Sequence, residues 1–379
     1  MMPLLDDQTV VQRILDHIDH RTTDVSDATW REPLANYRCA DRFGAELAVL
    51  RRAPTPFCPS AALAETGSFV ARDAAGTPIL AVRGADGRAR AFRNACRHRG
   101  TQLVDGAGCE KAFVCRYHGW TYGLDGALRH VPHEDGFPGL DKSTRGLVPV
   151  RTTERHGLVW VTQDEPELRD ASVDHLPDLI PPSHHLIGTS AIDVAANWKV
   201  LVEGFLEGYH IRPTHRDTFY PVQFDNLTVV ETFGRNNRIA FPYRRINKLR
   251  DVTPAERSVD GMLTYVYHLF PNVMVATFPT NLVMVALEPL AIDRTRLVTY
   301  LLSDRREEDA DRYTALQSAQ GFVQAGAAED RDVACAIQRG LASGANEFFE
   351  FGRFEGAIVH FHRVLHEILD GAPAVARSA

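Results

Sequence analysis

The amino-acid sequence predicts an α+β protein that combines a small all-β domain with a larger domain of antiparallel strands and long helices. From about residue 68 to residue 162 the chain consists of short β-rich runs, broken by turn residues such as Asp125-Gly126. Between residues 264 and 302 four further β-rich runs follow one another. Helical patterns at 330–342 and 355–369 come after these strands, as expected for a sheet covered by helices.

Three segments follow from these patterns. Residues 1–56 are predicted to form an N-terminal helical arm that packs on the larger domain, because apolar residues recur at helical spacing within 8–21. Residues 57–165 are predicted to form the small β domain. Residues 166–379 are predicted to form the larger domain, which begins within the Asp-, Pro- and His-rich stretch 163–186.

Length and charge restrict the function of this chain. With 379 residues it can build two to three domains, each with its own core. A net charge of −7 without a long basic run argues against nucleic acid or an acidic membrane surface as a partner. The N-terminus lacks the features of a secretory signal, and no stretch approaches the roughly eighteen apolar residues of a membrane span. We therefore expect a cytoplasmic protein that binds neither nucleic acid nor membrane.

The most specific motif is a pair of Cys/His segments. Cys96 and His98 stand two residues apart, and Cys115 and His118 stand three residues apart further along the chain. Two Cys on one iron and two His on the other form the ligand set of a Rieske [2Fe–2S] cluster. The alternative is a Cys₂His₂ zinc site, in which a Cys pair precedes a His pair. Because Cys and His alternate here, we predict that these four residues bind a [2Fe–2S] cluster.

A second ligand pattern lies in residues 197–215. His210 and His215 stand five residues apart, and a straight helix would separate their side chains by roughly 140°. Pro213 disfavours helix at the residue before it. We therefore predict a helix that ends near Ile211, so that His215 lies on the following loop and both imidazoles reach one ion. Two His and one carboxylate are typical of non-haem Fe(II) oxygenases.

Both motifs resemble those of the Rieske non-haem iron oxygenases, and the resemblance covers nearly the whole chain. Residues similar to the Rieske domain of ring-hydroxylating enzymes are Asn94, Cys96, His98, Gly100, Cys115, Tyr117, His118, Gly119, Trp120, Asp125 and Gly126. Residues similar to their iron-binding segment are Asn197, Trp198, Lys199, Glu203, Glu207, Tyr209, His210 and His215. Respiratory Rieske proteins carry two further cysteines, whereas Thr101 and Tyr117 stand at those positions here. The resemblance therefore points to the oxygenase (alpha) subunits of the ring-hydroxylating and choline- and carnitine-monooxygenase-like enzymes.

This resemblance implies the third iron ligand. In the family, a helix bearing Asp with a Gln-Arg/Asn-Gly run downstream supplies the carboxylate. Here that helix contains Glu329 and Asp330, followed by Gln338-Arg339-Gly340. Asp330 is the implied ligand, and Glu329 is the alternative.

The resemblance also implies a residue that carries electrons between subunits. A family position one helical turn before the first iron-binding His is commonly Asp, and it links that His to a cluster His of the neighbouring subunit. Glu207 occupies this position, so it is expected to link His210 to His118 of another chain. Glu203, by contrast, is expected to make only a local helix or capping contact.

The resemblance further implies a helix-grip (START/SRPBCC-like) catalytic domain with an antiparallel sheet and a long C-terminal helix. It implies a terminal mono- or dioxygenase in which the cluster takes electrons from a reductase or ferredoxin. Mononuclear Fe(II) would then activate O₂ to hydroxylate, dihydroxylate or oxidatively demethylate a small aromatic or quaternary-ammonium-like substrate. No G-x-G-x-x-G follows a strand, so NAD(P)H would act only through a partner reductase. A homotrimer with electron transfer between subunits is implied.

A different class of protein remains open as an alternative. A Rieske electron-transfer protein could carry a ligand-binding domain that has no catalytic role. The order of His210, His215 and Asp330 argues against this alternative. Demethylation instead of ring attack is a variant of the same class, and Glu207 favours the branches that act on quaternary-ammonium substrates.

Other polar residues give weaker evidence of a functional site. Tyr243, Arg244 and Arg245 could anchor a substrate carboxylate, although exposed strand charges are the simpler interpretation. His362 and His366 stand four residues apart, but no carboxylate or Cys partner is evident nearby in the sequence. A polar helix face is the prediction for this pair.

Overall fold

The computed structural model describes residues 4–305 and 310–371, which form two compact units. The small unit comprises Arg51–Arg169 and Pro177–Leu186. The large unit comprises the described residues of Met1–Leu50, Asp170–Leu176 and Ile187–Ala379. Two compact units do not show which segments fold independently, so the predicted domain boundaries near residues 57 and 165 stay a prediction.

The N-terminal segment contributes two helices and one strand. These are α1 (Asp7–His20), β1 (Trp30–Pro33) and α2 (Ala40–Arg52). Helix α1 begins at Asp6, whose carboxylate accepts a hydrogen bond from Thr9 N at 2.8 Å. This is a side-chain cap of the first turn, and the apolar face predicted within residues 8–21 is buried.

The small unit is all-β, as the sequence predicts. Its strands are β2 (Thr55–Pro59), β3 (Ser68–Ala74), β4 (Thr77–Arg83), β5 (Ala89–Arg93), β6 (Gly106–Cys109), β7 (Phe113–Val114), β8 (Thr121–Tyr122), β9 (Leu128–His130), β10 (Pro149–Arg155) and β11 (Leu158–Thr162). Seven of them form an antiparallel sheet in the order β2-β11-β10-β5-β4-β3-β6, and β7-β8-β9 form a second, three-stranded sheet. One apolar cluster contains Phe69, Leu80, Phe92 and Trp120 together with Cys96 and Cys115. Both predicted cluster cysteines therefore lie at the edge of a hydrophobic core.

The large unit is built on a seven-stranded antiparallel sheet. Its strands are β12 (His185–Val194), β13 (Val229–Phe233), β14 (Asn236–Pro242), β15 (Leu263–Leu269), β16 (Val273–Thr277), β17 (Leu282–Ala291) and β18 (Arg294–Ser303), in the order β12-β18-β17-β16-β15-β14-β13. The four runs between 264 and 302 are strands β15 to β18, as predicted. Strands β12 to β14 were not predicted, although β14 is buried along its whole length.

Helices pack on this sheet and a short strand separates the last two. They are α3 (Trp198–Phe205), α4 (Ile211–Thr214), α5 (Ala310–Leu341) and α6 (Gly356–Gly371), with β19 (Phe348–Phe351) between α5 and α6. Strand β19 pairs with β1, so the N-terminal segment joins the large unit. This is the predicted α+β fold with antiparallel sheets and a C-terminal helix. In residues 4–305 and 310–371 no helix has the length and apolar character needed to cross a bilayer.

Helix α3 ends earlier than the sequence suggests. We predicted a helix that continues to Ile211, but α3 ends at Phe205. Leu206 N donates to Glu203 O at 3.0 Å, which closes the last turn tightly. A Cβ at Gly208 would lie 3.0 Å from the Thr228 side chain, so the chain after α3 runs close to its neighbour and a larger residue here would require Thr228 to shift. The prediction that the helix ends near Ile211 is therefore wrong.

The chain re-enters a helix after this break. Helix α4 is one turn long, with His210 at its N-cap and His215 at its C-cap. Pro213 lies in this first turn, where its missing N–H removes no internal hydrogen bond. The proline therefore does not end a helix here, and His215, which was predicted on a loop, is the C-cap of α4.

A buried ion pair fixes α3 to α2. Lys199 and Glu46 are 0% and 1% exposed, and Lys199 Nζ lies 2.8 Å from Glu46 Oε2. The Trp198 indole donates to the same oxygen at 2.9 Å, and Arg42 Nε lies 3.3 Å from Glu46 Oε1. Burial lowers the pKa of Lys199, and the neighbouring Glu46 carboxylate opposes this shift. A carboxylate with three donors is the arrangement that buried charge requires.

A second buried network joins α3 to α6 and corrects two predictions. His362 Nε2 lies 2.9 Å from Glu203 Oε1, and the Tyr37 hydroxyl donates to the same oxygen at 2.5 Å. On the other side, Glu32 lies 3.0 Å from His366 Nε2. His362 and His366 thus have carboxylate partners, and Glu203 makes long-range contacts. The sequence indicated neither the carboxylate partners of the His pair nor the contacts of Glu203, because the partners lie more than 150 residues away.

We expect Glu46→Gln to destabilise the large unit by about 3 kcal/mol, because it leaves the Lys199 ammonium buried without its counter-charge. Urea unfolding followed by tryptophan fluorescence would measure this loss. The matched control is Asp193→Asn, which breaks the ion pair between Asp193 and Arg296. The two side chains of this pair are 40% and 43% exposed. We expect that variant to lose less than about 1 kcal/mol. Equal losses in the two variants would contradict the role of the buried pair.

Candidate metal centres

The predicted cluster ligands lie on two loops with the same backbone hydrogen bonds. In each loop the cysteine N–H donates to the carbonyl five residues later at 2.8 Å, and the glycine four residues after the cysteine donates back to its carbonyl at 2.9 Å. The residues are Cys96, Gly100 and Thr101 in one loop and Cys115, Gly119 and Trp120 in the other. Both glycines have positive φ, +75° and +73°, which other residues rarely adopt. Two matching loops thus present one Cys and one His each.

Side-chain contacts hold the first of these loops closed. Asn94 Nδ2 donates to Val104 O at 2.7 Å, and Leu103 N donates to Asn94 Oδ1 at 3.1 Å. The Tyr122 hydroxyl accepts from Arg97 N at 2.9 Å and lies 3.3 Å from Cys96 Sγ. Burial and the adjacent Cys96 sulfur raise the pKa of Tyr122, so the hydroxyl keeps its proton and can donate to a thiolate.

The four predicted cluster ligands differ in how deeply they are buried. Cys96 and Cys115 are 4% and 2% exposed, whereas His118 is exposed and His98 is half-buried. The two Nδ1 atoms of the His pair face each other at 3.1 Å, and the Trp120 ring stacks on His98 at 5.0 Å between centroids. Burial, with the neighbouring His118, lowers the pKa of His98 and favours the neutral imidazole that binds metal.

This geometry fits a two-iron cluster and not a single zinc ion. In the described part of the chain, the only three metal-binding side chains whose ligand atoms lie within 4.8 Å of one another are His210, His215 and Asp330. No three of the four Cys/His ligands of the small unit meet that distance, which one tetrahedral ion would require. Two buried thiols opposite two outer imidazoles match the sorted ligands of a Rieske cluster.

The second group of predicted ligands converges on one point in the large unit. His215 Nε2 lies 2.9 Å from Asp330 Oδ1, and His210 Nε2 lies 3.5 Å from the same oxygen. His210 and His215 cap the two ends of α4, and their ring centroids are 5.0 Å apart. Asp330 comes from α5. Two imidazoles and one carboxylate around a shared point form the triad that binds non-haem iron.

A further carboxylate orients each imidazole. Glu207 Oε1 contacts Nδ1 of His210, and Glu329 Oε2 lies 2.8 Å from Nδ1 of His215. The hydroxyl of Thr218 donates to Glu329 Oε2 at 2.6 Å. Both rings therefore turn Nε2 towards Asp330, as in carboxylate–histidine–metal arrangements. Glu329, the alternative iron ligand, contacts the outer nitrogen of His215 and not the point where the triad converges.

The pKa shifts at this site agree with that arrangement. Burial disfavours the charged form of His210, but Glu207 and Asp330 outweigh it and raise the pKa. Burial likewise raises the pKa of Glu329, but hydrogen bonds from Thr218 and His215 outweigh it and lower the pKa. Glu329 therefore stays ionised and can hold the imidazole N–H.

Two adjoining chambers lead to the triad. The inner chamber has a volume of 110 Å³ and is lined by His210, His215 and Asp330, together with Phe205, Phe219, Phe241 and Phe278. The outer chamber has a volume of 500 Å³ and shares Phe219, Phe278 and Val323 with the inner one. Tyr243, Arg244 and Arg245 line the outer chamber. The two arginines lie on a 3₁₀ helix, Arg244–Asp251, and not on a strand as predicted.

A third cavity, of 240 Å³, lies beside the triad and is lined by three carboxylates besides Asp330. They are Glu203, Glu207 and Glu355, with His210 and Asp330 also in the lining. Burial, with the charges of Glu207 and Glu203, raises the pKa of Glu355 to about 7. Glu355 carried no signal in the sequence, because nothing near it in the chain marks it as a neighbour of the iron-binding segment.

Comparison with known proteins gives the family. Residues 53–149 match the Rieske [2Fe-2S] domain, and residues 183–371 match the ring hydroxylating alpha subunit (catalytic domain). The carnitine monooxygenase oxygenase subunit of Escherichia coli (strain K12) is 29% identical over 336 residues, which cover 82% of this chain and 85% of the relative. Choline monooxygenase, chloroplastic, of Spinacia oleracea is 26% identical over 314 residues, covering 76% and 67%.

Solved structures of the same fold agree with these matches. A quaternary ammonium Rieske monooxygenase in complex with L-carnitine superposes with a TM-score of 0.73 at 21% identity, covering 98% of this chain and 99% of the other. Naphthalene 1,2-dioxygenase with bound indole gives a TM-score of 0.75 at 20% identity, covering 91% and 93%. Both domains, in the order found here, thus occur in enzymes of one kind. The chain belongs to the Rieske non-haem iron oxygenases and is an oxidoreductase of the alpha-subunit type.

Proposed function

We propose that this chain is the terminal oxygenase component of a multicomponent system that oxidises a small quaternary-ammonium substrate. The convergence of two oriented imidazoles and one carboxylate beside an aromatic chamber carries the proposal. The proposed cluster ligands are Cys96, His98, Cys115 and His118. The proposed ligands of Fe(II) are His210, His215 and Asp330.

The chain's own residues prepare both metal sites for this chemistry. When bound, the cluster supplies single electrons and the ferrous ion supplies open positions at which O₂ is activated. Glu207 and Glu329 hold the imidazole protons on Nδ1, so that each Nε2 is free to bind metal. The phenylalanines of the inner chamber exclude water from the space next to the triad.

The proposed substrate class rests on the size and walls of the inner chamber. Its 110 Å³ is well below the roughly 300–1,000 Å³ of pockets for drug-sized ligands, so it admits a group of a few heavy atoms. Phe205, Phe219, Phe241 and Phe278 offer aromatic faces, which attract a quaternary ammonium cation. Relatives named for carnitine and choline agree with such a group. Hydroxylation of a carbon next to nitrogen, or demethylation, is the reaction class that follows.

The proposed partners are a reductase or ferredoxin, which delivers electrons from NAD(P)H, and two further copies of this chain. A related quaternary ammonium Rieske monooxygenase is described as using inter-subunit electron transfer. We propose a homotrimer in which Glu207 of one subunit contacts His118 of the partner subunit. Support comes from the exposure of His118 and of Tyr209, which is 57% exposed and follows Glu207 by two residues.

We expect the wild-type protein, purified without oxygen, to contain about three irons and two acid-labile sulfides per chain. His210→Ala/His215→Ala removes two ligands of the mononuclear site, so that variant is expected to hold about two irons and to keep the Rieske EPR signal. Equal iron in both proteins, at full sulfide content, would contradict the oxygenase. An electron-transfer protein with a non-catalytic ligand-binding domain would then be the better interpretation.

A matched pair of substitutions distinguishes Asp330, the proposed iron ligand, from Glu329, the alternative. Asp330→Ala is expected to abolish mononuclear iron binding, since it removes a ligand. Glu329→Gln is expected to keep the site with roughly 10–100-fold weaker affinity, since it disturbs only the orientation of His215. Iron per chain after a graded chelator challenge, with sulfide as the internal standard, measures both. Loss of iron in Glu329→Gln alone would reverse the assignment.

Glu207→Gln tests the proposed electron path. The variant keeps the size of the side chain but cannot accept an imidazole N–H from both sides, so electron transfer is expected to slow by roughly 10–100-fold. Oxidation of the pre-reduced cluster by O₂ with substrate, followed by its absorbance, measures the rate, and iron content serves as the control. An unchanged rate in a fully iron-loaded variant would show that electrons take another route.

A further inference from the structure

The outer chamber has an unusual balance of charge. Its walls are mostly apolar, yet Arg244 and Arg245, which follow one another in the chain and are both exposed, also line it. Among the residues that the structure describes, no Asp or Glu lines this chamber, and neither guanidinium has a carboxylate within 4.0 Å. Arg250, on the same 3₁₀ helix, instead pairs with Asp19 at 2.8 Å. Both side chains are exposed to water, which screens their charges, and an anion in the chamber would meet two guanidinium groups that have no carboxylate partner among the described residues.

Both side chains are held in place by neighbours that leave donors unused. The Arg244 guanidinium lies 5.2 Å from the Tyr220 ring centre and donates to Tyr220 O at 3.2 Å. The Arg245 guanidinium lies 4.7 Å from the Tyr243 ring centre and donates through Nε to Gly261 O. Each guanidinium has five N–H donors, so most of them stay available. Aromatic contacts reduce the entropy lost when an anion binds.

The inner chamber has the opposite character. It contains four phenylalanines and no Lys or Arg among its lining residues. Because the chambers adjoin across Phe219 and Phe278, one ligand can occupy both. Its reacting end would be apolar or cationic and its distal end anionic.

We infer that the substrate carries a carboxylate, which Arg244 and Arg245 bind in the outer chamber while its quaternary-ammonium end occupies the inner chamber. This inference rests on the proposed function and narrows it, since a quaternary ammonium alcohol would leave the arginines unpaired. A planar carboxylate matches the paired N–H donors of a guanidinium. Arg244 and Arg245 therefore act on specificity and are not catalytic residues.

The test compares two ligands that share a trimethylammonium group. L-Carnitine and γ-butyrobetaine carry a carboxylate, whereas choline does not. Calorimetric binding to the iron-loaded protein is expected to weaken by roughly ten- to a hundredfold for γ-butyrobetaine in Arg244→Gln and Arg245→Gln, as for a lost charged hydrogen bond. Choline binding is expected to stay within about twofold, because choline makes no such bond. Arg250→Gln is the matched control and is expected to change neither.

Turnover provides a second readout. The arginine variants are expected to raise the KM for γ-butyrobetaine and to leave kcat unchanged, because the carboxylate contact is the same in ground and transition states. A wild-type protein that binds choline more tightly than γ-butyrobetaine would overturn the inference. So would variants that weaken both ligands equally, and the oxygenase assignment would stand in either case.

Failure of the substrate class itself gives a different result. If wild-type protein binds neither γ-butyrobetaine nor choline, the quaternary-ammonium part of the proposed function is wrong. Benzoate and benzyl alcohol then replace the two ligands. Arginine-dependent binding of benzoate alone would support the carboxylate subsite, and equal or tighter binding of benzyl alcohol would overturn it.

Discussion

The buried charged side of α3 is the constraint on which the catalytic unit depends. Lys199 pairs with Glu46 from α2, and Glu203 contacts Tyr37 and His362. Buried pairs of this kind add little net stability, because the cost of removing charges from water offsets their attraction. They do penalise any other position of the helix, since a shift would leave a charge buried alone. Helix α3 is thus fixed from two sides before the chain turns into α4.

The position of α4 follows from that constraint, and with it the geometry of the proposed iron site. A single turn whose caps are both ligands has little stability of its own. Glu207, Glu329 and Asp330 surround its two imidazoles, which gives the site three negative charges when the imidazoles are neutral. A ferrous ion offsets two of them. Without metal, Glu207 and Asp330 raise the pKa of His210 against the effect of burial, so a proton partly takes the place of the cation.

The sequence contains the proposed metal ligands but not the contacts that position them. The Cys/His motif is local, since each pair needs only a few residues of loop, and its spacing could be read directly. The break after Phe205 could not, because it depends on the close approach of Gly208 to Thr228 on a distant segment. The partners of His362 are equally remote in sequence. Whether Asp330 or Glu329 faces the triad depends on the rotation of α5, which one sequence does not determine.

Two cavities meet at the triad and differ in their other lining residues, although both contain Glu207, His210 and Asp330. In the cavity lined by Glu203 and Glu355, burial and the nearby charges of Glu207 and Glu203 disfavour a further negative charge and raise the pKa of Glu355 to about 7. The inner chamber is lined largely by aromatic and aliphatic side chains, with Gln223 and Thr264 as further polar residues besides the triad and Glu207. The carboxylates that line the inner chamber, Glu207 and Asp330, would repel an anionic group placed there. An anionic end of a ligand is therefore better placed in the outer chamber, whose described lining contains Arg244 and Arg245.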